Sequence, residues 1–488
     1  MRDKYFYEVM FDDTSIDVSK EVGLVWSIAN SLRGAYTSDK YKDVIIPMVI
    51  IRRFECALEE TKDAVVAKYK QNPNLPAALL CQVSKYPFYN TNEFTLKRLL
   101  DDSDSIASNL KSYIEGFSAN IQLILEKLLK FSTQIDKMDK SNRLYSVVKK
   151  FSELDLYPTH VDSMKMGYIF EDIIRRFSEN AEAGDHYTPR EVIELMVNIL
   201  FYNDNSLLSG DHVAKTIYDP ACGTGGMLSV AENYLHKLNS TAELLAFGQE
   251  INDQTFAICK ADMLIKGNDA TQIKSGNTLS DDQFAEQTFD YILSNPPFGR
   301  EWKNEKNAVE KEAKLGFAGR FGAGLPAVGD GQMLFLETAV AKMKPTGSRA
   351  AIIHNGSPLF TGDAGSGPSE IRRYLLENDL LEAIIALPND IFYNTGIATY
   401  IWVLSNKKAG NRKGKVQLIN ANGLFEKRRK ALGNKRNDIS EEQIAEITRV
   451  YGDFTENEIS KIFSNEEFGY SKITVERPLK DENGEPVL

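Results

Sequence analysis

Only four cysteines occur in the 488 residues, Cys56, Cys81, Cys222 and Cys259, and no two of them form a CxxC pair. That spacing speaks against a disulfide framework. The few histidines form no cluster, so a zinc site and metal chemistry in general are not expected. Long apolar runs are missing too. None reaches the roughly 18–20 residues that cross a bilayer, and no membrane partner is expected. The N-terminus, MRDKYFYEVMFDDTSID, carries acids early and has no apolar core, unlike a secretory signal. A reducing, cytoplasmic setting follows as the expectation. Also absent are any recognisable base-reading module and any nuclease or helicase motif.

What is present is an ordinary globular composition, 42% hydrophobic and 26% charged, at a length that allows two to four domains. The net charge of −11 is unevenly spread. From Asn406 to Arg436 there are eleven basic residues and one acid, Glu426, so this segment is +10 and the remainder −21. Such a run is either a solvated face or a surface for DNA phosphates or an acidic partner.

Residues 1–165 read as a helical N-terminal domain. Tyr41 to Glu55 places apolar residues densely on more than one face, as in a helix buried within a bundle, and Ile121 to Lys130 repeats the apolar spacing of one face. Residues 166–425 alternate strands with helices. Strand candidates are Lys215–Asp219, Leu244–Glu250, Phe289–Ser294, Arg349–His354, Leu381–Leu387, Ala398–Leu404 and Val416–Asn420. This predicts an α/β fold, a doubly wound and mainly parallel sheet with ligands at the carboxyl ends of its strands. Two glycine-rich stretches, 316–331 and 356–367, read as mobile loops over a ligand or as surface disorder. Residues 426–488 read as a basic, helical C-terminal region, with Ser440 and Gln443 as a capping box.

The chemistry-bearing residues follow predicted strands. Asp219-Pro-Ala-Cys-Gly-Thr-Gly-Gly ends one strand and opens a helix. Gly223, Gly225 and Gly226, with Thr224 between, let the backbone turn tightly against a ligand. The loop lacks the GxGxxG spacing of dinucleotide sites and the Lys-Ser/Thr of a phosphate loop. Asp219 suits a cationic amine, such as the methionine end of S-adenosylmethionine. Glu250 ends the next strand, where an acid can accept both hydroxyls of a ribose or simply cap a helix. Ser294-Asn-Pro-Pro-Phe-Gly ends a third strand and is the most specific signal in the chain. The lone pair of an exocyclic base amine is delocalised into its ring. Acceptors from Asn295 and from a main-chain carbonyl fixed by Pro296-Pro297 would favour a pyramidal nitrogen, and Phe298 would stack on the base.

These residues resemble the amino-methyltransferases of DNA, in which Asn/Asp-Pro-Pro-aromatic is the catalytic motif. More closely, the chain is similar to the modification subunit of type I restriction-modification systems, over nearly its whole length. Gly184-Asp-His-Tyr-Thr-Pro-Arg-Glu matches that family's motif ahead of the glycine loop. The resemblance implies cofactor contacts by Asp185, His186, Tyr187, Thr188, Pro189 and Arg190, besides Asp219, Gly223, Thr224, Gly225, Gly226 and Glu250. It also places Asn277 against the cofactor adenine. Asn355-Gly-Ser-Pro-Leu-Phe and Leu387 to Ile397 match later motifs that shape the target-base pocket. The implied activity is methyl transfer from S-adenosylmethionine to adenine N6 of a base flipped from double-stranded DNA. The implied partners are a specificity subunit, two copies of this chain for each specificity subunit, and a restriction subunit. A competing reading is a methyltransferase acting on a protein glutamine amide, since that nitrogen poses the same problem. Such enzymes are smaller and generally carry Tyr at the fourth motif position. A degenerate, non-catalytic scaffold is the third reading, and intact Asp219, Glu250 and Asn295 speak against it.

Overall fold

A computed structural model describes residues 19–162, 165–167, 169–170, 172–173, 188–204, 208, 210, 213–393, 395–477, 482–483 and 485. The N-terminal part is helical, as its periodicity predicts. Helix Lys42–Leu58 buries most of its residues, including Ile45, Met48, Ile51 and Phe54. Burial on several faces requires its polar groups to find partners. Glu55 accepts from Arg52 Nη1 (2.6 Å), from the Leu96 N–H (2.7 Å) and from the Tyr113 hydroxyl (3.0 Å). Arg53 Nη1 donates to the carbonyls of Leu156 (2.7 Å) and Val161 (2.6 Å), closing this part against the chain leading into the sheet.

The strands are β1 (Ala214–Asp219), β2 (Glu243–Glu250), β3 (Ile273–Ser275), β4 (Tyr291–Ser294), β5 (Arg349–Asn355), β6 (Leu381–Ala386), β7 (Thr399–Ser405), β8 (Lys415–Asn420), β9 (Glu426–Leu432), β10 (Lys435–Asp438) and β11 (Ser460–Ser464). Nine of them form one sheet in the order β11-β8-β6-β7-β5-β4-β1-β2-β3. All seven strands predicted from sequence are present. β7 runs antiparallel to both its neighbours and β11 antiparallel to β8; the other pairings are parallel. Alternate residues point to opposite faces. Leu293, Ala351, Ile353, Ile401 and Val403 enter a core shared with helices Arg190–Phe201, Gly226–Leu238 and Asp253–Lys266. Ile292, Ala350, Ile352, Trp402 and Leu404 enter a second core with helices Gln332–Ala341 and Gly367–Glu377. The first core continues without a break into the N-terminal helices.

Beyond Leu424 the chain is not only helical. β9 and β10 form a two-stranded hairpin, and β11 extends the main sheet. The predicted helix is there, Glu441–Asp453, and Ser440 and Gln443 make both bonds of the capping box. A buried network ties this helix to the sheet. Glu382, wholly buried, pairs with Arg349 Nη1 (2.9 Å), accepts from the Tyr451 hydroxyl (3.0 Å) and lies 3.4 Å from Arg412 Nε.

The glycine-rich stretch 316–331 is packed rather than loose. Arg320 donates to both Glu312 oxygens and to the Thr278 carbonyl, and Phe321 is buried. The two glycine-rich stretches interlock: a Cβ on Gly324 would meet the Gly367 carbonyl oxygen at 2.7 Å. The glycines there permit close backbone contact. Among the described residues, no helix is long and apolar enough to cross a membrane.

Candidate active site

Adjacent parallel strands that leave the middle of a sheet in opposite directions open a crevice at their carboxyl ends. Here β1 lies between β2 and β4, and the crevice holds a cavity of about 450 Å³. That size is in the range of small-molecule sites.

Asp219, at the end of β1, is almost fully buried. Its Oδ1 accepts from the Ala221 N–H (3.0 Å) and from the Ser294 hydroxyl at the end of β4 (2.7 Å). Burial pushes its carboxyl up to about 7, against the lowering effect of those two bonds and with a further push from the Glu250 charge. Next comes the glycine loop. Gly223 has φ +54° and faces open space, so its backbone borders the cavity without a side chain. Gly225 has φ +83°, and a Cβ there would meet Cys259 Sγ at 2.7 Å. Cys222, buried, fills space against Gly248, as its position in the loop predicts.

Glu250 ends β2. Its two carboxylate oxygens accept from the Gly223 N–H (2.8 Å) and the Asn252 N–H (2.7 Å), which ties the glycine loop to the neighbouring strand and sets the plane of the carboxylate. Asn277 lines the cavity, but both ends of its amide are engaged. Nδ2 donates to Glu305 (2.7 Å) and Oδ1 accepts from the Leu279 N–H (3.0 Å). These two bonds fix the orientation of its amide at the cavity wall.

Asn295 follows β4 and borders the same cavity together with Pro297 and Thr188. Its Nδ2 donates to Thr188 Oγ1 at 2.8 Å. Thr188 therefore serves the Asn-Pro-Pro-Phe segment and not only the cofactor side. Pro189 is the residue just before helix Arg190–Phe201, with ψ 145°. Arg190 is buried and points toward Gly167 rather than into the cavity. Phe298 is also buried, 3% exposed, within the first core, so it supports the loop from beneath instead of presenting an open face. Asp185, His186 and Tyr187 lie outside the described residues.

A long glycine loop, a buried carboxylate, a strand-end acid and an Asn-Pro-Pro-Phe turn thus share one cavity. Residues 161–482 match the family model described as N-6 DNA Methylase, and residues 23–151 match the HsdM N-terminal domain. The chain belongs to the N-6 DNA methylase family. Its activity is S-adenosylmethionine-dependent methylation of adenine N6 in DNA, as the modification subunit of a type I restriction-modification system. The methylase subunit of the type I restriction enzyme MjaIX of Methanocaldococcus jannaschii is 25% identical over 467 residues, 92% of this chain and 79% of that one. The EcoEI methylase subunit of Escherichia coli is 30% identical over 282 residues, covering 56% and 52% of the two chains. Several other relatives are longer proteins, of which this chain spans about three-fifths. In fold, the N-6 methylase resembles the type I methyltransferase subunit from Streptococcus thermophilus, with a TM-score of 0.71 at 22% identity over 92% and 96% of the two chains.

Several site features of this N-6 methylase carry no local sequence signal. Lys42 and Ile46, from the N-terminal helical part, line the cavity, and Gln254 Nε2 donates to Asp43 (2.8 Å) beside them. Next to the Asn-Pro-Pro-Phe turn, Asp330 accepts from the Gly299 N–H (3.3 Å) and from Gln332 Nε2 (2.5 Å). Gln332 in turn donates to Asn355 Oδ1 (2.8 Å) and meets Nδ1 of buried His354 (3.2 Å). Burial pushes the His354 imidazole down to about 3, so it is neutral at physiological pH. The segment at Asn355 is thus linked through Gln332 and Asp330 to Gly299, just after the Asn-Pro-Pro-Phe turn.

Proposed function

We propose that this cavity holds S-adenosylmethionine with its methyl group facing Asn295, and that the adenine reaches it from the rim formed by the Asn295–Pro297 turn. The observation that carries this reading is the Asn295–Thr188 bond at the mouth of a cavity floored by Gly223 and Glu250. The residues fit the cofactor. Gly223 lets the backbone approach, Glu250 is oriented to accept ribose hydroxyls, and buried Asp219 offers a carboxylate to a cationic amine. When bound, S-adenosylmethionine supplies an activated methyl group for direct transfer.

The chain's own residues do the rest. The Thr188 bond fixes the rotation of the Asn295 amide, so Oδ1 is the end that accepts a hydrogen of the adenine amine. Pro296 and Pro297 hold a main-chain carbonyl beside it. Two acceptors on one amine favour a pyramidal nitrogen whose lone pair points at the methyl group, which is a positioning effect. The base is flipped from the duplex to reach this point, and Phe298 acts under the turn rather than as an open stacking surface. In the assembly we infer, a specificity subunit chooses the target, two copies of this chain flank it, and a restriction subunit joins for cleavage, all in the cytoplasm.

The test is methylation of bacterial DNA by the purified chain, with and without its specificity subunit, followed by nucleoside analysis. N6-methyladenine formed in a partner-dependent way is expected. Methyl transfer to another atom, or transfer to a protein glutamine only, contradicts the reading.

A further inference from the structure

Apart from Lys413 and Lys415, which are exposed ahead of and at the start of β8, the basic run falls into two sets with different fates. One set is consumed internally. Lys407 pairs with Asp204, Lys408 with Asp379, Arg412 lies by Glu382, and Arg428 pairs with Asp438. The other set stands on the β9–β10 hairpin. Lys427, Arg429, Lys430 and Arg436 are exposed there and make no ion pair among the described residues, with Glu426 the one exposed acid on the two strands.

The hairpin is short, turning through Gly433 (φ +61°) and Asn434 between paired Leu432 and Lys435. A two-residue turn with a glycine first suits a twisted ribbon. The hairpin rests on the loop after β6 and on the helix that begins just after Thr188, a residue lining the cavity. The Asn434 N–H donates to the Tyr393 carbonyl (2.8 Å), the Arg436 N–H to the Asp390 carbonyl (2.8 Å) and Asn437 Nδ2 to the Asn389 carbonyl (2.8 Å). All three acceptors belong to the loop after β6. Lys435, 1% exposed, is sunk between Glu191 and Asp438. Glu191 opens the helix that follows Thr188, the residue holding Asn295. Burying a cation is costly unless it is paired, and this pairing fixes the ribbon to the element that carries the catalytic contact.

We propose that the β9–β10 hairpin is a clamp for the sugar-phosphate backbone of duplex DNA, held in register with the methyl-transfer pocket by Lys435. The proposal rests on the DNA-methyltransferase reading. Alternate residues of a strand are about 6.6–6.8 Å apart, close to two steps of the roughly 3.4 Å rise per nucleotide of one DNA strand. Lys427 and Arg429 can therefore each meet a phosphate. The position favours DNA over an acidic protein: the hairpin is pinned to Glu191, three residues from cavity-lining Thr188, so a base entering the pocket brings its backbone close to it. Contacts of this kind fix register and carry no sequence information.

The test uses the whole chain with its specificity subunit and a fluorescein-labelled duplex, read by anisotropy over a salt series. The variant is Lys427→Gln, Arg429→Gln, Lys430→Gln and Arg436→Gln together. It should bind target and non-target duplexes more weakly by a similar factor, at least tenfold, with the log–log salt slope shallower by about 3–4. Cofactor affinity and assembly with the specificity subunit should match wild type. An unchanged slope and affinity overturn the clamp while leaving the methyltransferase reading intact. Loss of assembly with the specificity subunit overturns it in favour of a protein contact. If the quadruple variant loses cofactor binding, the paired variants Lys427→Gln with Arg429→Gln, and Lys430→Gln with Arg436→Gln, carry the test, each expected to take about half of the slope. A wild-type complex that fails to bind duplex contradicts both readings.

Discussion

Asn295 and Thr188 are joined by a 2.8 Å hydrogen bond across 107 residues of sequence, the amide nitrogen donating to the hydroxyl. The bond links the turn after β4 to the start of the helix at Arg190, and it sets the orientation of the amide that we propose faces the substrate amine. Thr188→Val removes the acceptor and keeps the shape. Turnover should fall about ten- to hundredfold, as expected for a misoriented catalytic group, with cofactor affinity changed less than threefold or so. Thr188→Ser should restore most of the rate. Single-turnover kinetics and calorimetry check both; a loss of cofactor affinity equal to the loss of rate would instead make Thr188 a cofactor ligand.

The state of Asp219 gives a pH dependence. Burial raises its carboxyl from the usual range to about 7. The folded, cofactor-free chain therefore favours the protonated form, and this group's contribution to stability is full below about pH 4 and declines as pH rises toward 7. A bound cation favours the ionised form, so cofactor affinity should rise about tenfold from pH 6 to pH 8. Calorimetry at both values checks this. Asp219→Asn should flatten the dependence and bind weakly throughout.

Gly225 combines a left-handed backbone with a neighbour at short range. Gly225→Ala pushes a methyl group into Cys259 Sγ and strains the loop, at a cost of about 1–3 kcal/mol. Cofactor affinity should drop at least tenfold. Adding Cys259→Ala removes the collision but not the backbone strain, so partial recovery is expected in the double variant.

Glu382 balances two buried cations, Arg349 and Arg412. Removing one partner of a buried ion pair leaves an uncompensated charge, costing about 3–5 kcal/mol. Glu382→Gln should therefore lower the urea midpoint substantially without altering the cavity. A loss under about 1 kcal/mol would mean that the network contributes little net stability.

The placement of Asn295, Asp219 and Glu250 at strand ends around one cavity was legible because each is a contiguous signal after an apolar strand, and fold class sets where strand ends lie. The seven apolar strands were legible for the same reason. β9 was not: Glu426 to Lys430 is polar on both faces, so it carries no alternation to separate strand from helix. β3 has three residues and β11 is short and half polar, too little for a period to show. Pairings across long separations were invisible, including Thr188 with Asn295, Lys42 at the strand-end cavity, and the distant acids Asp204, Asp379, Glu382 and Glu191 that absorb four of the eleven basic residues. Phe298 was legible as part of the motif, but its burial depends on what packs beneath the turn.

The most direct test of the central claim is single-turnover transfer of a labelled methyl group to duplex DNA by Asn295→Ala, with cofactor binding measured on the same preparation. The account predicts transfer reduced at least a thousandfold, roughly the loss of an acceptor aimed at the transition state, with cofactor affinity near that of wild type. Transfer retained within tenfold, or cofactor binding lost together with transfer, would contradict the assignment of Asn295 as the group that positions the adenine amine.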